Sequence, residues 1–344
     1  MYLFCVLFSL VENKKNTYSS KLFFLLIIYI FLLVIATLKP LGFGFDDLNY
    51  YTVISQQERE ISNPYGWEPG FMLLIIASSW FEDYSFIALN IFVLTICFIL
   101  NGYVFYKLSP LISIAFLWYF SHLFFYKEIT QLRIAVAYSI VLFGFYFLYL
   151  EKNKKFLFLI LLAYLFHVSS LISLIAYLFV KLKKKHILSF IIIAMIISEL
   201  GLVDAIIIKL SHLFLNEASF NSYILDKSGF AKELNPLNPT TVKYIIFSIF
   251  FYYYSVKLKD RTFDFLLKIY MIAPLWIILF SSFGTLASRP ATIFSIVECI
   301  LISNFAYNCY KNSIITKILI VFLSITLLLL NIVVIKPVDM DLIY

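Results

Sequence analysis

Apolar runs follow one another from one end of the chain to the other, parted by short polar stretches. Runs at 22–38, 84–106, 110–126, 131–150, 187–203, 241–256, 263–282, 291–309 and 314–335 each come near the ~20 residues with which a helix crosses about 30 Å of hydrocarbon. Two further stretches fit less simply. One, 69–81, is only 13 residues long; the other, 156–180, carries a Lys cluster at each end.

Composition strengthens this picture. The 344 residues are 62% hydrophobic and only 14% charged, with a mean hydropathy of +0.94. No soluble domain of this length could hide so much apolar surface, whereas a bilayer removes the need to hide it. The expected fold class is therefore all-α, a polytopic membrane protein of about 9–12 transmembrane or re-entrant helices. It is read as a single integral membrane domain over 1–344, with extracytoplasmic loops at about 39–68 and 204–240. The N-terminal "YLFCVLFSLV" has no basic residues before it and is followed by "ENKK", which suits an uncleaved hydrophobic element better than a signal peptide.

Charge sets the orientation. The net charge of +7 comes from short clusters between apolar runs, which is how cytoplasmic loops are marked, and not from a nucleic-acid-binding surface. "ENKK" (12–15), "EKNKK" (151–155), "KLKKK" (181–185) and "KLKDR" (257–261) belong inside. The loop 39–68, with Asp46, Asp47, Glu58, Glu60 and Glu68 against Lys39 and Arg59, belongs outside. Between 39–68 outside and 151–155 inside there must be an odd number of crossings. The runs 84–106, 110–126 and 131–150 supply three, so 69–81 is expected not to cross, and Arg133 falls at the outer end of its helix. Segment 156–180 has two readings: a hairpin turning at "FHVSS" (166–170), or one long tilted span.

Candidate chemistry gathers in few places. The stretch 39–70 offers Asp46, Asp47 and Glu68, ahead of Glu58 and Glu60, with Tyr50, Tyr51 and Trp67. Aromatic rings there can stack on sugar faces, and carboxylates can bind or deprotonate hydroxyls. The plainer alternative is a solvated loop with interfacial aromatics. Arg133 shares its helical stripe with Ala137 and Gly144, small residues that favour close packing and an inward-facing guanidinium suited to a diphosphate or carboxylate. Its alternative is snorkelling or a structural ion pair. Arg289, before Pro290, is expected at the entrance of another helix on the outer side, where it reads as a second arm of a diphosphate clamp with Arg133 or as an interfacial anchor. His167, near Ser169 and Ser170, is a lone His in an apolar run, read as either functional or a satisfied donor. Glu199 and Glu298 are assigned to structural pairing. The four Cys (Cys5, Cys97, Cys299, Cys309) show no ligand spacing, and no haem, zinc, Walker or Rossmann pattern occurs, so no cofactor or metal is expected.

The ordered set "FDDLNYY", "WEPGF", "QLRIAVAYSI", the Lys-flanked "AYLFHVSSLI" and the later "SRP" resembles the EpsG-like family of Wzy-type polysaccharide polymerases of bacterial inner membranes. The likeness runs over residues ~40–180. The start departs from it: "FDD" stands where a Gly-x-Asp-Tyr-like motif is expected, so the equivalent acid is either Asp46 or Asp47. The resemblance implies a GT-C-like, metal-independent glycosyltransferase at the periplasmic face. Such an enzyme joins oligosaccharide repeat units carried on undecaprenyl diphosphate, within the lipid bilayer, with a chain-length regulator as a further partner. It implies catalytic candidates Asp46, Asp47, Glu68 and His167, and substrate-binding candidates Arg133, Arg289, Gln131, Tyr50, Tyr51, Trp67 and Ser169. The rivals are a glycan-lipid flippase, a membrane O-acyltransferase and an O-antigen ligase. A flippase would show two similar halves and an acyltransferase a His-centred motif; no internal repeat occurs, and His122, His167, His186 and His212 form no such motif.

Overall fold

The computed structural model describes residues 1–12, 18–44, 46–57, 63–214, 224, 232–309 and 313–332. The molecule is 82% helical, with no strand among the described residues, and is an all-α polytopic membrane protein. Among the described residues, five helices are long and apolar enough to cross a bilayer: Ser19–Leu38, Glu82–Leu108, Leu132–Tyr149, Arg261–Leu279 and Gly284–Asn308. A sixth crossing exists if Lys184–Glu199 and Leu202–Lys209, bent by 81° to each other, are one broken span.

Several expected spans take other forms. The run 110–126 becomes a shorter apolar helix, Ile112–Phe124, whose hydrogen bonding widens to a π-helical turn at Phe120–Phe124. The run 241–256 lies in Pro239–Leu258, which is 20 residues long but carries Lys243, Lys257 and four tyrosines. The run 314–335 is helical over the 17 residues Ile314–Leu330. At 69–81, the helix Pro69–Ser79 has 11 residues, about 16 Å of rise, and cannot cross alone. Segment 156–180 is not one continuous helix. It stops at Tyr164 and resumes as a 3₁₀ run from Val168, with His167 in the break.

Two compact units divide the chain: residues 1–171 with 299–344, and residues 172–298. In the first, eight helices matter. They are α1 (Tyr2–Val11), α2 (Tyr18–Leu38), α3 (Asp47–Gln57), α4 (Pro69–Ser79), α5 (Ser85–Leu108), α6 (Ile112–Tyr119), α7 (Leu132–Tyr149) and α8 (Asn153–Tyr164). Proline sets two of the borders. Pro40 cannot extend α2, and Pro69 occupies the first turn of α4, where its missing N–H costs nothing. α7 and α8 pack closely because Gly144 has no side chain; a Cβ there would lie 3.2 Å from Ile160 Cδ1. The N-terminal segment is built into this unit. Phe4 and Phe8 pack on Phe24 of α2, and the Glu12 carboxylate accepts the N–H groups of Ile112 and Ser113, each at 3.0 Å, capping α6.

In the second unit, Asn238 and Asp260 cap the helices Pro239–Leu258 and Arg261–Tyr270 through the Thr241 and Phe263 amides. Glu298 is in the structural pairing expected of it, 3.1 Å from Lys243, whereas Glu199 is exposed. The helix Leu202–Phe214 occupies the first part of the expected loop 204–240, of which 215–223 and 225–231 lie outside the described residues.

Candidate functional site

The site is framed by a buried ion pair. Lys39, just past α2, donates from Nζ to Asp47 Oδ1 at 2.7 Å, to the Ile129 carbonyl at 2.7 Å and to Asn90 Oδ1 at 3.2 Å. The other oxygen of Asp47 accepts the Gly44 N–H at 2.8 Å. The two side chains are 2% and 0% exposed. Burial pushes the Lys39 ammonium down and the Asp47 carboxyl up, and their mutual attraction opposes both shifts. Gly44 is required here: a Cβ would stand 3.0 Å from Thr130 Cα and 3.1 Å from the Ile129 carbonyl. This knot ties the ends of α2 and α3 to α5 and to the backbone four residues before Arg133.

Locking Asp47 inward orients its neighbours. Asp46 is half-buried, and its Oδ2 lies 3.5 Å from the Tyr50 hydroxyl. Tyr50 is buried, with its ring 5.3 Å from Trp67. Burial and the nearby Asp46 push its phenol up, while hydrogen bonding and charge from Arg133 act the other way. Tyr51, next in sequence, is exposed.

Arg133 stands in the first turn of α7. Its Nη1 donates to Glu68 Oε2 at 3.0 Å, and its guanidinium lies 5.2 Å from the Trp67 ring centre. Its Nε is buried without a hydrogen-bond partner. "WEPG" (67–70) explains itself residue by residue. Trp67 gives Arg133 an aromatic face, Glu68 gives it a counter-ion, and Pro69 starts α4. The Gly70 N–H then donates 2.7 Å to the Leu165 carbonyl, so close that a Cβ would be 2.6 Å from that oxygen. Glu68 Oε1 meanwhile accepts the Val168 N–H at 3.1 Å. The start of α4 and the broken end of α8 thus satisfy each other's backbone groups and bring His167 to the Arg133 side of the unit. Asn63 exchanges two hydrogen bonds with the Trp67 backbone, and Tyr65 stacks on Trp67 at 5.1 Å, which stiffens the loop.

His167 is buried, with Nδ1 accepting the Ser169 N–H at 3.2 Å and sharing a hydrogen bond with Ser169 Oγ at 2.7 Å. An Nδ1 that accepts carries no proton, so Nε2 bears it, and in this state the imidazole is a donor at Nε2. The Gln131 side chain accepts from Lys127 Nζ at 3.1 Å.

Asp46, Asp47, Glu68, Tyr50, Trp67, Arg133, His167 and Ser169 all belong to the first unit. Arg289 belongs to the second, and its local setting departs from expectation. Pro290 lies inside Gly284–Ser295 rather than in its first turn, so Arg289 is mid-helix and half-buried. The helix tolerates this because the Leu286 carbonyl, which Pro290 cannot serve, accepts the Trp276 indole N–H at 2.9 Å. Glu58 and Glu60 lie outside the described residues.

Sequence reasoning missed three groups. Lys39 reads as an ordinary loop cation, and Asn90 as one amide in an apolar run. Glu128 is buried, accepting hydrogen bonds from the Tyr119 hydroxyl and from Asn101 at 3.3 Å. The adjacent pair Lys127–Glu128, both buried and close to a long apolar helix, was the available signal. Among the described residues, no three His, Cys, Asp or Glu side chains are grouped to hold a metal ion. The arrangement offers one partly open cation beside an aromatic wall, a carboxylate half-free of partners, and an imidazole N–H. That set suits an anionic ligand attached to a ring-shaped polar one.

The sequence profile of the EpsG family matches residues 22–342, nearly the whole chain. No curated protein and no solved structure matches it.

Proposed function

From the premise that this multi-pass membrane protein belongs to the EpsG family, a Wzy-type polymerase-like family, we propose that it is a polysaccharide polymerase of the bacterial inner membrane. It takes a growing glycan from undecaprenyl diphosphate and joins it to a sugar hydroxyl of the next lipid-linked repeat unit, at the outer face. The observation that carries this reading is Arg133, with its buried, unpartnered Nε among Trp67, Tyr50 and Glu68.

Each role follows from chemistry. The leaving diphosphate is anionic already, so it needs positive charge and no general acid; Arg133 supplies that charge as the glycosidic bond breaks. The acceptor hydroxyl is a poor nucleophile. Asp46 is assigned to take its proton, a choice supported by the engagement of both oxygens of Asp47 with Lys39 and Gly44. Trp67 and Tyr51 offer faces to sugar rings, and the His167 Nε2–H serves as a donor to substrate oxygen. Gln131 and Ser169 fix neighbours: Gln131 holds Lys127, and Ser169 sets the tautomer of His167. Arg289 is a second candidate cation, to be judged separately.

Glycan analysis of a deletion strain tests the reading. Loss of a polymerase leaves a single repeat unit attached, whereas loss of a flippase or ligase leaves none. Complementation with Arg133→Ala at normal protein level should restore no long chains; wild-type chain length from that variant would refute the assignment.

A further inference from the structure

Arg133, the proposed cation for a diphosphate, already holds an anion. Glu68 Oε2 lies 3.0 Å from it, and the two side chains are 24% and 18% exposed. Arg133 is also the second residue of a spanning helix, and the ends of such helices lie at the depth of lipid headgroups. Bulk phospholipid phosphodiesters are far more abundant there than any lipid-linked intermediate. An unguarded arginine would be filled by them.

We propose that Glu68 is a specificity-determining residue, a built-in anion that withholds Arg133 from the singly charged phosphodiesters of bulk lipid and yields it to a diphosphate. This rests on the reading of Arg133 given above. A phosphodiester brings one negative charge, as Glu68 does, and gains nothing over a carboxylate already held in place. Glu68 is so held: Oε1 takes the Val168 N–H, and Gly70, two residues on, is bonded to Leu165. A diphosphate brings at least two charges and two phosphoryl groups. It can take over the Nη1 position that Glu68 holds, at the part-open side of the guanidinium, and add oxygens from its second phosphoryl group. Displacement costs little reorganisation, since the carboxylate stays tethered through Oε1 and returns when the diphosphate departs.

The test uses the full chain purified in a non-ionic detergent, with equilibrium binding of inorganic pyrophosphate and of short-chain phosphatidylglycerol. The wild type should prefer pyrophosphate. Glu68→Gln, which keeps an acceptor for Val168 but no charge, should bind phosphatidylglycerol about tenfold more tightly and lose a similar factor of preference. Glu68→Asp should retain the preference, and Glu68→Ser carries the same expectation as Gln if the Gln variant does not fold. An unchanged preference in the uncharged variants, with pyrophosphate binding abolished by Arg133→Ala, overturns the filter and leaves the diphosphate reading intact. A wild type that does not bind pyrophosphate overturns both.

Discussion

Two cation–carboxylate pairs lie in the same unit, and both draw their carboxylate from the stretch between α2 and α4, yet they face different media. Lys39 and Asp47 are sealed, at 2% and 0% exposure, and four bonds use up their charged atoms. Arg133 and Glu68 are part open, at 24% and 18%, with a guanidinium nitrogen left over. A buried charge is tolerable only when every lone pair and proton has a partner, so the first pair can do nothing but hold. The second can exchange its partner. Placement, not residue type, separates a fastener from a binding group.

Breaking the sealed pair should have the largest effect. Asp47→Ala leaves a buried ammonium uncompensated, and a loss of about 3–5 kcal/mol is expected in thermal or denaturant unfolding of the purified protein. Replacing both partners, Lys39→Met with Asp47→Leu, should recover most of it. A stable but inactive Asp47→Ala would erase the contrast and return Asp47 to the catalytic list. Arg133→Ala should do the reverse: stability within about 1 kcal/mol of wild type, but polymer formation down about 10²–10³-fold. Smaller again is Gly70→Ala, whose Cβ would meet the Leu165 carbonyl at 2.6 Å; forcing α4 from α8 should cost about 1–3 kcal/mol and loosen Glu68. The mildest is Trp67→Leu, which removes the aromatic face from Arg133 and should weaken anion binding by about 1 kcal/mol, with Trp67→Phe keeping most of the interaction.

Much of this was legible in the linear chain. Apolar content alone called for a helical membrane protein. Arg133 announced itself as a charge at the mouth of an apolar run, and "WEPG" and "FHVSS" stood out as polar breaks that the fold then joins. Which of Asp46 and Asp47 turns inward was not legible, because the two acids are identical and adjacent; the contacts of Asp47 with Lys39 and the Gly44 amide distinguish them. Lys39 gave no sign of its role, since its partners come from positions 47, 90 and 129. Arg289 was misplaced within its helix because proline usually marks a first turn, and the Trp276 indole that relieves Pro290 sits ten residues before the carbonyl it serves. A π-helical turn after Tyr119 and an 81° bend after Glu199 interrupt runs that hydrophobicity alone reads as straight.

The interrupted end of α8 also bears on the order of assembly. Glu68 and Val168 lie 100 positions apart, and Gly70 waits for Leu165 over nearly the same distance. As the chain is synthesised, Arg133 and Glu68 are delivered to the membrane well before the residues that pin them. A nascent protein halted ahead of α8 would hold a loose loop and an amide with no carbonyl to meet. Maturation of the candidate site is thereby tied to insertion of the first half of the molecule as a whole.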